Sequence, residues 1–328
     1  MNLKINLFCM LTIMLLLLGC SQTIKQETPG EPLKVAVQVW AGNGPIYVAQ
    51  EKGFFAEEGV DVKVLLLDTT TIRPAFLSGE VDAIFMPSES MQILYDSNKK
   101  FSIIMNTDYS NGGDGIVAAG NINSIADLKG KKIAYEKGSP SHMLLDLLLE
   151  RNGLTNKDVI SVETPTYDAG TVFLSGDVDA AVTWEPWLSK ASERAGGKLL
   201  YSTKGDPLIN NLGAFSAEVL TGRPEDVKRF MKAYFKALDY TYKNPTESYE
   251  IMAKKFGVSV EDIVGMREGL TWMSQQDNVA YLGNGKTSGE VKIILEKAGD
   301  LWIKEGFIKK RGTAEELVDG SLLAALND

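Results

Sequence analysis

An octapeptide occurs twice in this chain, and this repeat places the strongest constraint on its fold. The segment Phe76–Ala83, FLSGEVDA, returns as Phe173–Ala180, FLSGDVDA. Upstream, Lys34–Val37 (KVAV) is echoed by Lys132–Tyr135 (KIAY) at nearly the same spacing. A period of about 97 residues is much longer than a solenoid unit, because such units span roughly 20–50 residues. The repeat therefore predicts two lobes built on the same plan.

Each repeat predicts short apolar strands that alternate with helices. Strands rich in apolar and β-branched residues are typical of a sheet covered by helices on both faces. The fold class is therefore α/β, with two α/β lobes around a central cleft joined by two crossover segments. Helices are expected over Ile46–Glu58 and Val260–Met273, and a loop-like segment over Asn106–Val117.

The lobe boundaries follow from where the alternating pattern stops. A strand at Gly115–Ala118 is expected to be the first crossing between the lobes, and Leu212–Ala217 the return crossing. Beyond residue 213 the pattern changes to helices. We therefore expect residues 33–116 plus 214–328 to form lobe 1 and residues 117–213 to form lobe 2.

The first 32 residues predict export and membrane anchoring. Residues 1–19 combine Lys4 with an apolar run, Leu7–Leu18, that is shorter than the ~20 residues of a membrane-spanning helix, so they are predicted to be a lipoprotein signal peptide. Leu17–Cys20 resembles the bacterial lipobox, which makes Cys20 the expected lipid attachment point; ordinary cleavage after a small residue is the alternative. Residues 20–32 then form the lipidated cysteine and a flexible tether. The expected location is extracytoplasmic, at the cell surface or the periplasmic face.

Composition excludes several classes of function. The net charge of −9 argues against a nucleic-acid partner, because such an interface needs Lys and Arg opposite the phosphates. Both cysteines, Cys9 and Cys20, lie in the first 20 residues, so the folded body has no disulfide framework or cysteine metal site. The single histidine, His142, excludes multi-histidine zinc centres. We expect no metal and no cofactor.

Candidate ligand-binding residues lie where predicted strands end. In α/β sheets, ligands bind beyond the carboxyl ends of the strands and near helix N-termini. Four such ends carry polar, glycine or tryptophan residues: Trp40, Gly42 and Asn43; Ser88, Glu89 and Ser90; Gly138, Ser139, Ser141 and His142; Trp184 and Glu185. The serines either offer an anion site or only cap their own helices. The tryptophans either line the cleft or plug the core.

Carboxylates dominate the predicted cleft. Asp108 and Asp114 join Glu89 and Glu185 there, and Lys137 is the one basic exception. A desolvated carboxylate requires a partner, so a ligand with an amine or protonated ring nitrogen is expected. The alternative is that some of these carboxylates face water. His142 beside Ser141 leaves a catalytic reading open, although no G-x-S-x-G nucleophile elbow is present.

Several motifs together resemble a known family. They include Trp40 followed by Pro45–Ala49 (PIYVA), Asp127–Lys132 (DLKGKK) and Asp179–Trp187 (DAAVTWEPW), besides the octapeptide. This combination, across residues 33–220, is similar to the solute-binding proteins of ABC importers for taurine, aliphatic sulfonates and nitrate. The thiamine-pyrimidine-precursor (NMT1/THI5-like) binders belong to the same group.

The resemblance implies a type II periplasmic-binding-protein fold that closes on its solute. It implies a monomer that delivers a small molecule to an ABC permease with a cytoplasmic ATPase, and no enzyme activity. The expected solute is an amine-bearing sulfonate such as taurine, or a pyrimidine. The cysteine-rich motif of the pyrimidine-synthesising members is absent, which argues against a synthase. The rival interpretations are a secreted hydrolase or transferase that uses His142 with a serine, and a sensor-input domain.

Overall fold

The described part of the chain contains two β-sheets. A computed structural model describes residues 31–193, 196–283 and 289–327. Its strands are β1 (Leu33–Val37), β2 (Val62–Leu66), β3 (Ala83–Pro87), β4 (Phe101–Ser110), β5 (Asp114–Ala119), β6 (Lys132–Tyr135), β7 (Ile160–Glu163), β8 (Ala180–Trp184), β9 (Gly197–Ser202), β10 (Asn210–Ser216) and β11 (Leu270–Trp272).

The two sheets repeat one strand order. The first sheet runs β2-β1-β3-β10-β4-β11 and the second runs β7-β6-β8-β5-β9. In each sheet three parallel strands, with the earliest in the middle, are followed by an antiparallel strand that arrives from the other half of the chain. Both sheets belong to one compact unit, residues 32–328. The prediction of a two-lobed α/β fold is confirmed.

The repeated octapeptide performs the same structural task in both halves. Gly79 and Gly176 end their helices with φ angles of 81° and 88°, a left-handed conformation that glycine adopts without strain. The aspartate three residues after each glycine then reaches the neighbouring strand: Oδ2 of Asp82 accepts the backbone N–H of Lys34, and Oδ2 of Asp179 accepts that of Lys132, each at 2.8 Å. The repeat thus fixes the end of a helix and the start of the central strand together.

Helices cover the sheets and complete the first half. They are α1 (Gly44–Glu51), α2 (Phe54–Glu57), α3 (Ile72–Ser78), α4 (Ser88–Asp96), α5 (Pro140–Arg151), α6 (Thr166–Ser175), α7 (Trp187–Ser192), α8 (Ala217–Gly222), α9 (Pro224–Lys243), α10 (Pro245–Phe256), α11 (Val260–Glu268), α12 (Gln275–Leu282), α13 (Val291–Glu305), α14 (Ala314–Leu317) and α15 (Ser321–Ala324). Short 3₁₀ turns cover Ala41–Asn43, Ile125–Leu128, Asn156–Asp158 and Ala325–Asn327.

Three expected elements differ from the structure. The helix expected over Ile46–Glu58 is broken at Gly53, whose φ of 76° ends α1 before α2 begins. The helix expected over Val260–Met273 stops at Glu268, and the next residues form β11, which pairs with β4. Most of the loop expected over Asn106–Val117 is strand, because β4 continues to Ser110 and β5 starts at Asp114.

The passages between the sheets are therefore short and slightly displaced from the expected crossings. The chain leaves the first sheet through residues 111–113 and returns through residues 203–209. Strand β10 pairs with β3 and β4 over its whole length, so residues 210–213 lie in the first sheet rather than in the 117–213 segment expected to form lobe 2. Likewise Asp114–Ile116 lie in the second sheet.

The long helix α9 anchors the core of the first half. Its buried face includes Phe230, which stacks on Phe55 at a ring distance of 5.3 Å and also contacts Phe85 and Phe215. The predicted signal peptide, Cys9, Cys20 and most of the predicted tether lie outside the described residues. Within the described ranges, every helix is too short or too polar to cross a bilayer.

Candidate ligand-binding site

A cavity lies at the carboxyl edges of both sets of parallel strands. Its volume is about 130 Å³, smaller than the roughly 300–1,000 Å³ of drug-sized ligand pockets, which favours a small solute. The wall contains most of the predicted site residues: Trp40, Asn43, Glu89, Ser90, Asp108, Asp114, Gly138, Ser139, Ser141 and Trp184. The predicted Gly42, Ser88, His142 and Glu185 are not in the wall. Both halves of the molecule therefore contribute to one enclosure.

Two tryptophans meet at this cavity from opposite halves. Trp40 follows β1 and Trp184 ends β8, and their rings form an edge contact with centroids 5.7 Å apart. Nε1 of Trp40 donates a hydrogen bond to Oδ1 of Asp108 at 2.8 Å, which fixes the indole orientation. Gly42 supports this pair from behind, because a Cβ at that position would overlap the Asp108 carboxylate. Gly42 thus leaves the space that the Asp108 carboxylate occupies, and it is not part of the cavity wall.

Asp108 is buried but well supplied with donors. Besides the Trp40 indole, Oγ1 of Thr107 donates to Oδ2 at 2.8 Å and the amide of Asn211 donates at 3.3 Å. The same Asn211 amide also donates to Oδ1 of Asn43 at 2.8 Å. Burial raises the pKa of Asp108 to about 6, and the three hydrogen bonds limit the rise.

Asp114 begins β5, beside the first passage between the sheets. Burial raises its pKa to about 7, a hydrogen bond from Ser110 opposes the rise, and the charges of Asp108 and Glu185 add to it. Oγ of Ser110 also contacts Oγ1 of Thr203 at 2.7 Å, and that threonine accepts the N–H of Gly112 at 2.9 Å. The carboxylate is thus tied to both passages.

Glu89 contributes a third buried carboxylate, in the first turn of α4. Oγ of Ser90 donates to Oε1 at 3.0 Å, whereas Oε2 is buried and receives no hydrogen bond from any described residue. Burial raises the pKa of Glu89 to about 7, and the nearby Arg73 charge partly opposes the rise. Ser88, directly before it, is fully buried behind the wall, and its hydroxyl is also unpartnered among the described residues.

Arg73 is the functional candidate that sequence reasoning missed. It lies at the start of α3, lines the cavity, and makes no hydrogen bond or ion pair with any residue that the structure describes. It follows the carboxyl end of β2, and Thr166 similarly follows β7. The four strand ends considered in the sequence do not include those of β2 and β7. Because ligands bind beyond the carboxyl ends of parallel strands, including these two ends identifies both residues. The cavity is therefore not purely acidic.

The second half supplies hydroxyls and backbone groups. Oγ of Ser139 accepts the N–H of Ser141 at 3.1 Å as a helix cap and donates to the carbonyl of Glu136 at 2.7 Å. Oγ of Ser141 is 3.2 Å from Oγ1 of Thr166. Ser139 therefore caps its helix and also faces the cavity, so the two readings of this serine are compatible.

His142 lies behind the wall instead of in the cavity. Its Nδ1 accepts the N–H of Gly138 at 3.2 Å, and its ring is 5.3 Å from the ring of Trp302. Burial, followed by the charge of Lys137, lowers its pKa to about 4. It makes no hydrogen bond to a serine among the described residues, so the pair of His142 and a serine that the rival interpretation invokes is not formed here. Glu185 is likewise engaged elsewhere, accepting a hydrogen bond from Oγ of Ser189 at 2.7 Å.

Together the two sheets, the short passages and the shared cavity define the class of two-lobed α/β binding folds. The crystal structure of the periplasmic aliphatic sulphonate binding protein SsuA from Escherichia coli superposes with a TM-score of 0.74 at 19% identity, covering 90% of this chain and 99% of that chain. The desulfurization enzyme DszB superposes with a TM-score of 0.66 at 16% identity, covering 90% of this chain and 98% of that one. The fold is thus that of the periplasmic binding proteins, and enzymes share it.

The sequence identifies the family. Residues 40–248 match the family model described as NMT1/THI5 like, and the chain belongs to this family. A Brucella abortus (strain 2308) protein that carries the name binding protein is 26% identical over 267 residues, covering 80% of this chain and 82% of that protein. An Escherichia coli (strain K12) protein named for binding aliphatic sulfonates is 32% identical over 196 residues, covering 58% and 57%. The 4-amino-5-hydroxymethyl-2-methylpyrimidine phosphate synthase of Aspergillus parasiticus is 27% identical over 233 residues, covering 63% and 65%.

Proposed function

We propose that this chain is the solute-binding receptor of an ABC importer, held at the outer face of a membrane by a lipid on Cys20. The receptor captures a small polar solute between its two lobes and presents it to a permease that a cytoplasmic ATPase drives. The binding proteins among its relatives and the shared fold support this role. Closure follows from the solute's higher affinity for the closed arrangement, in which both lobes contact it.

The observation that carries the proposal is the pairing of opposite charges in one small cavity. The Arg73 guanidinium makes no hydrogen bond or ion pair with a described residue, although its charge acts on Glu89, and Oε2 of Glu89 is buried and receives no hydrogen bond from a described residue. A solute with an anionic and a cationic end satisfies both groups at once, whereas a simple anion leaves the carboxylates unpaired. An amine-bearing sulfonate such as taurine is therefore the preferred solute, and a cationic aminopyrimidine is the alternative.

The rival function is a hydrolase or transferase that uses the same cavity. Two of the similar proteins are enzymes by name, so the family and the fold do not decide the matter. The position of His142 outside the cavity and its lowered pKa argue against it as a general base. We propose that the solute leaves the site chemically unchanged.

Calorimetric titration of the full chain in detergent tests the proposal. Taurine is compared with ethanesulfonate and ethylamine, which carry only one of its two charges, and with 4-amino-5-hydroxymethyl-2-methylpyrimidine. We expect one-to-one binding of taurine, at least about tenfold weaker binding of each half-ligand, and recovery of unchanged taurine by NMR. Saturating ligand at one hundred times Kd adds about 2.7 kcal/mol to the free energy of unfolding, which thermal denaturation detects.

Arg73→Gln separates the two solute classes. It is expected to weaken taurine binding at least about tenfold, because a charge-assisted contact is lost, and to leave pyrimidine binding nearly unchanged. The matched control is Arg229→Gln, which alters an exposed guanidinium on α9 that pairs with Asp226. Chemical turnover of a bound ligand, or the absence of binding by all four compounds, would contradict the proposal.

A further inference from the structure

Three candidate metal ligands meet behind the cavity wall, where α5 contacts α13. His142 and Asp146 lie one turn apart on α5, and Glu305 is the last residue of α13. One ligand atom from each lies within 4.8 Å of the other two. Helix α13 packs mainly on α4 of the first half, and α5 belongs to the second half. The cluster therefore joins the two halves of the molecule.

Asp146 gives this cluster a buried acceptor that is not satisfied. Its side chain is 5% exposed, and neither carboxylate oxygen accepts a hydrogen bond from a described residue. Nε2 of His142 is 3.5 Å from Oδ2, beyond normal hydrogen-bond distance. Oδ1 of Asn156 is also buried without a donor, and the amide nitrogen of that residue is 3.3 Å from the imidazole. Buried oxygens of two residues that receive no hydrogen bond from a described residue therefore lie beside one imidazole, a combination that can ligate a cation.

Aromatic rings enclose the imidazole on the other sides. Tyr135, Trp302 and Phe307 have ring centroids 5.2, 5.3 and 5.5 Å from that of His142. An apolar shell limits access of water and strengthens the interaction of a cation with its ligands. Glu305 is the last residue of its helix and completes the cluster.

We propose that His142, Asp146 and Glu305 form a binding site for a divalent transition-metal cation, with Zn²⁺ as its representative. Nε2 of His142 and one oxygen from each carboxylate supply three ligands, and Oδ1 of Asn156 or a water molecule supplies the fourth. Zinc accepts this mixture of nitrogen and oxygen at about 2.0–2.2 Å, whereas Ca²⁺ and Mg²⁺ prefer oxygen ligands alone. This site goes beyond the solute-binding role and does not depend on the identity of the solute.

A metal on Nε2 changes the hydrogen bonding of the opposite ring nitrogen. Nδ1 now accepts the N–H of Gly138, and it must carry the ring proton once Nε2 is coordinated. Two N–H groups cannot face each other, so Gly138 must turn its N–H away from the ring. Gly138 lines the solute cavity. Metal binding is therefore expected to change the affinity for the solute.

The test is titration of the full chain with Zn²⁺ after treatment with a chelator. Cys9→Ser and Cys20→Ser are introduced first, because these are the only thiols in the sequence and thiols bind zinc. We expect one saturable Zn²⁺ site, and Co²⁺ in its place is expected to give visible absorption bands that report four-coordination with one nitrogen ligand. Mg²⁺ and Ca²⁺ are not expected to compete.

Variants assign the ligands. Asp146→Asn and Glu305→Gln are each expected to weaken Zn²⁺ binding at least about tenfold, whereas Glu296→Gln, which changes an exposed carboxylate on the same helix α13, has no effect. Glu305 is at the end of its helix, so its variant remains informative if Asp146→Asn does not fold. Unchanged zinc affinity in Glu305→Gln, or the absence of a saturable site in the folded parent, overturns the proposal.

Discussion

Asp114 shows the conflict between stability and binding at a single residue. Burial raises its pKa to about 7, whereas an aspartate in an unfolded chain releases its proton near ~3.9. The contribution of the protonated carboxyl group to the free energy of unfolding is fully present below the unfolded pKa. It is lost as the pH rises through the folded pKa of about 7. The cationic end of the proposed solute would compensate for this buried charge.

Asp114→Asn is therefore expected to stabilise the ligand-free protein at high pH. The gain is about 1–3 kcal/mol at pH 8, the usual cost of an unsatisfied buried group, and disappears near pH 4. Thermal unfolding at several pH values measures it. The control is Asp206→Asn, which removes a carboxylate whose pKa is lowered, first by its hydrogen bond with Arg151. That variant should lose stability at pH 8. If the change in unfolding temperature depended on pH in the same way for both variants, this account would be contradicted.

The same carboxylates predict opposite pH dependence for cations and anions. Asp108 has a pKa of about 6, and Asp114 and Glu89 have pKa values of about 7. Affinity for ethylamine should rise from pH 5.5 to 8, by up to about tenfold per pH unit for each proton displaced. Affinity for ethanesulfonate should fall over the same interval. Calorimetry in two buffers of different ionisation enthalpy counts the released protons, and identical pH profiles would refute the prediction.

Among individual residues, the sequence correctly predicts which ones line the cavity when their own strand determines their position. It does not predict the surroundings of residues that pack against distant parts of the chain. Trp40 and Trp184 line the cavity because of where β1 and β8 end. His142 was expected beside them, but its helix turns it toward Trp302, which is 160 positions further along the chain. The residues around His142 in the sequence do not indicate which helix from a later part of the chain will pack against it.

The short strand β11 shows how pairing with a strand distant in sequence can override a helical pattern of apolar residues. Leu270 and Met273 continue the apolar spacing of Ile263 and Met266, so the sequence predicts a single longer helix. The structure ends the helix at Glu268, and the next three residues pair with β4 instead. The indole of Trp272 then donates to the carbonyl of Gly42 at 3.3 Å. A three-residue strand obtains its register from its neighbour, which its own sequence does not reveal.

Gly269, between that helix and that strand, is expected to be intolerant of any side chain. The N–H groups of Asn111 and Gly113 each donate to its carbonyl at 2.8 Å, and a Cβ at position 269 would overlap the backbone of Gly113. Gly269→Ala should therefore destabilise the protein by about 1–3 kcal/mol and weaken solute binding, because it displaces the first passage between the sheets. Chemical denaturation and calorimetry measure the two effects.

Gly265→Ala is the matched control for this substitution. Gly265 lies in α11, and a Cβ there would meet no atom within 4 Å. Alanine is better than glycine in a helix interior by about 1 kcal/mol, so the control should be neutral or stabilising. Equal losses in the two variants would show that close approach of the passage is not the cause.

For the whole molecule, contacts between the two halves are expected to influence the proposed closure. Nζ of Lys190 on α7, beside the second sheet, lies 2.9 Å from Oδ1 of Asp262 on α11, beside the first. Lys190→Met keeps the aliphatic stem and removes this ion pair. Solute affinity should fall about two- to fivefold, because an exposed pair contributes about 0.2–1 kcal/mol, although neither residue lines the cavity.

Lys228→Met is the control for the effect on closure. Lys228 pairs with Glu225 inside the single helix α9, at 2.8 Å, so its loss should leave solute affinity unchanged. The affinity difference between the two variants should also shrink at high salt, since exposed pairs are screened. A salt-independent loss in Lys190→Met would indicate another cause.

The overall plan of the molecule was the most predictable level of its structure. The repeated octapeptide led to two equivalent sheets because each copy carries its own helix end and strand cap. The boundaries were displaced by a few residues, since β10 is held by β3 and β4 of the first sheet after the chain has passed through the second. This exchange of strands between the two halves depends on both sheets being formed, so neither repeat predicts it by its own sequence.

The edge contact between Trp40 and Trp184 also gives the protein a built-in optical signal. One ring belongs to each half, so any motion that separates the halves must part them. Such a change alters the polarity around both indoles and shifts their fluorescence emission. The proposed opening and closing can therefore be followed in real time on the unlabelled protein, at the wall of the cavity.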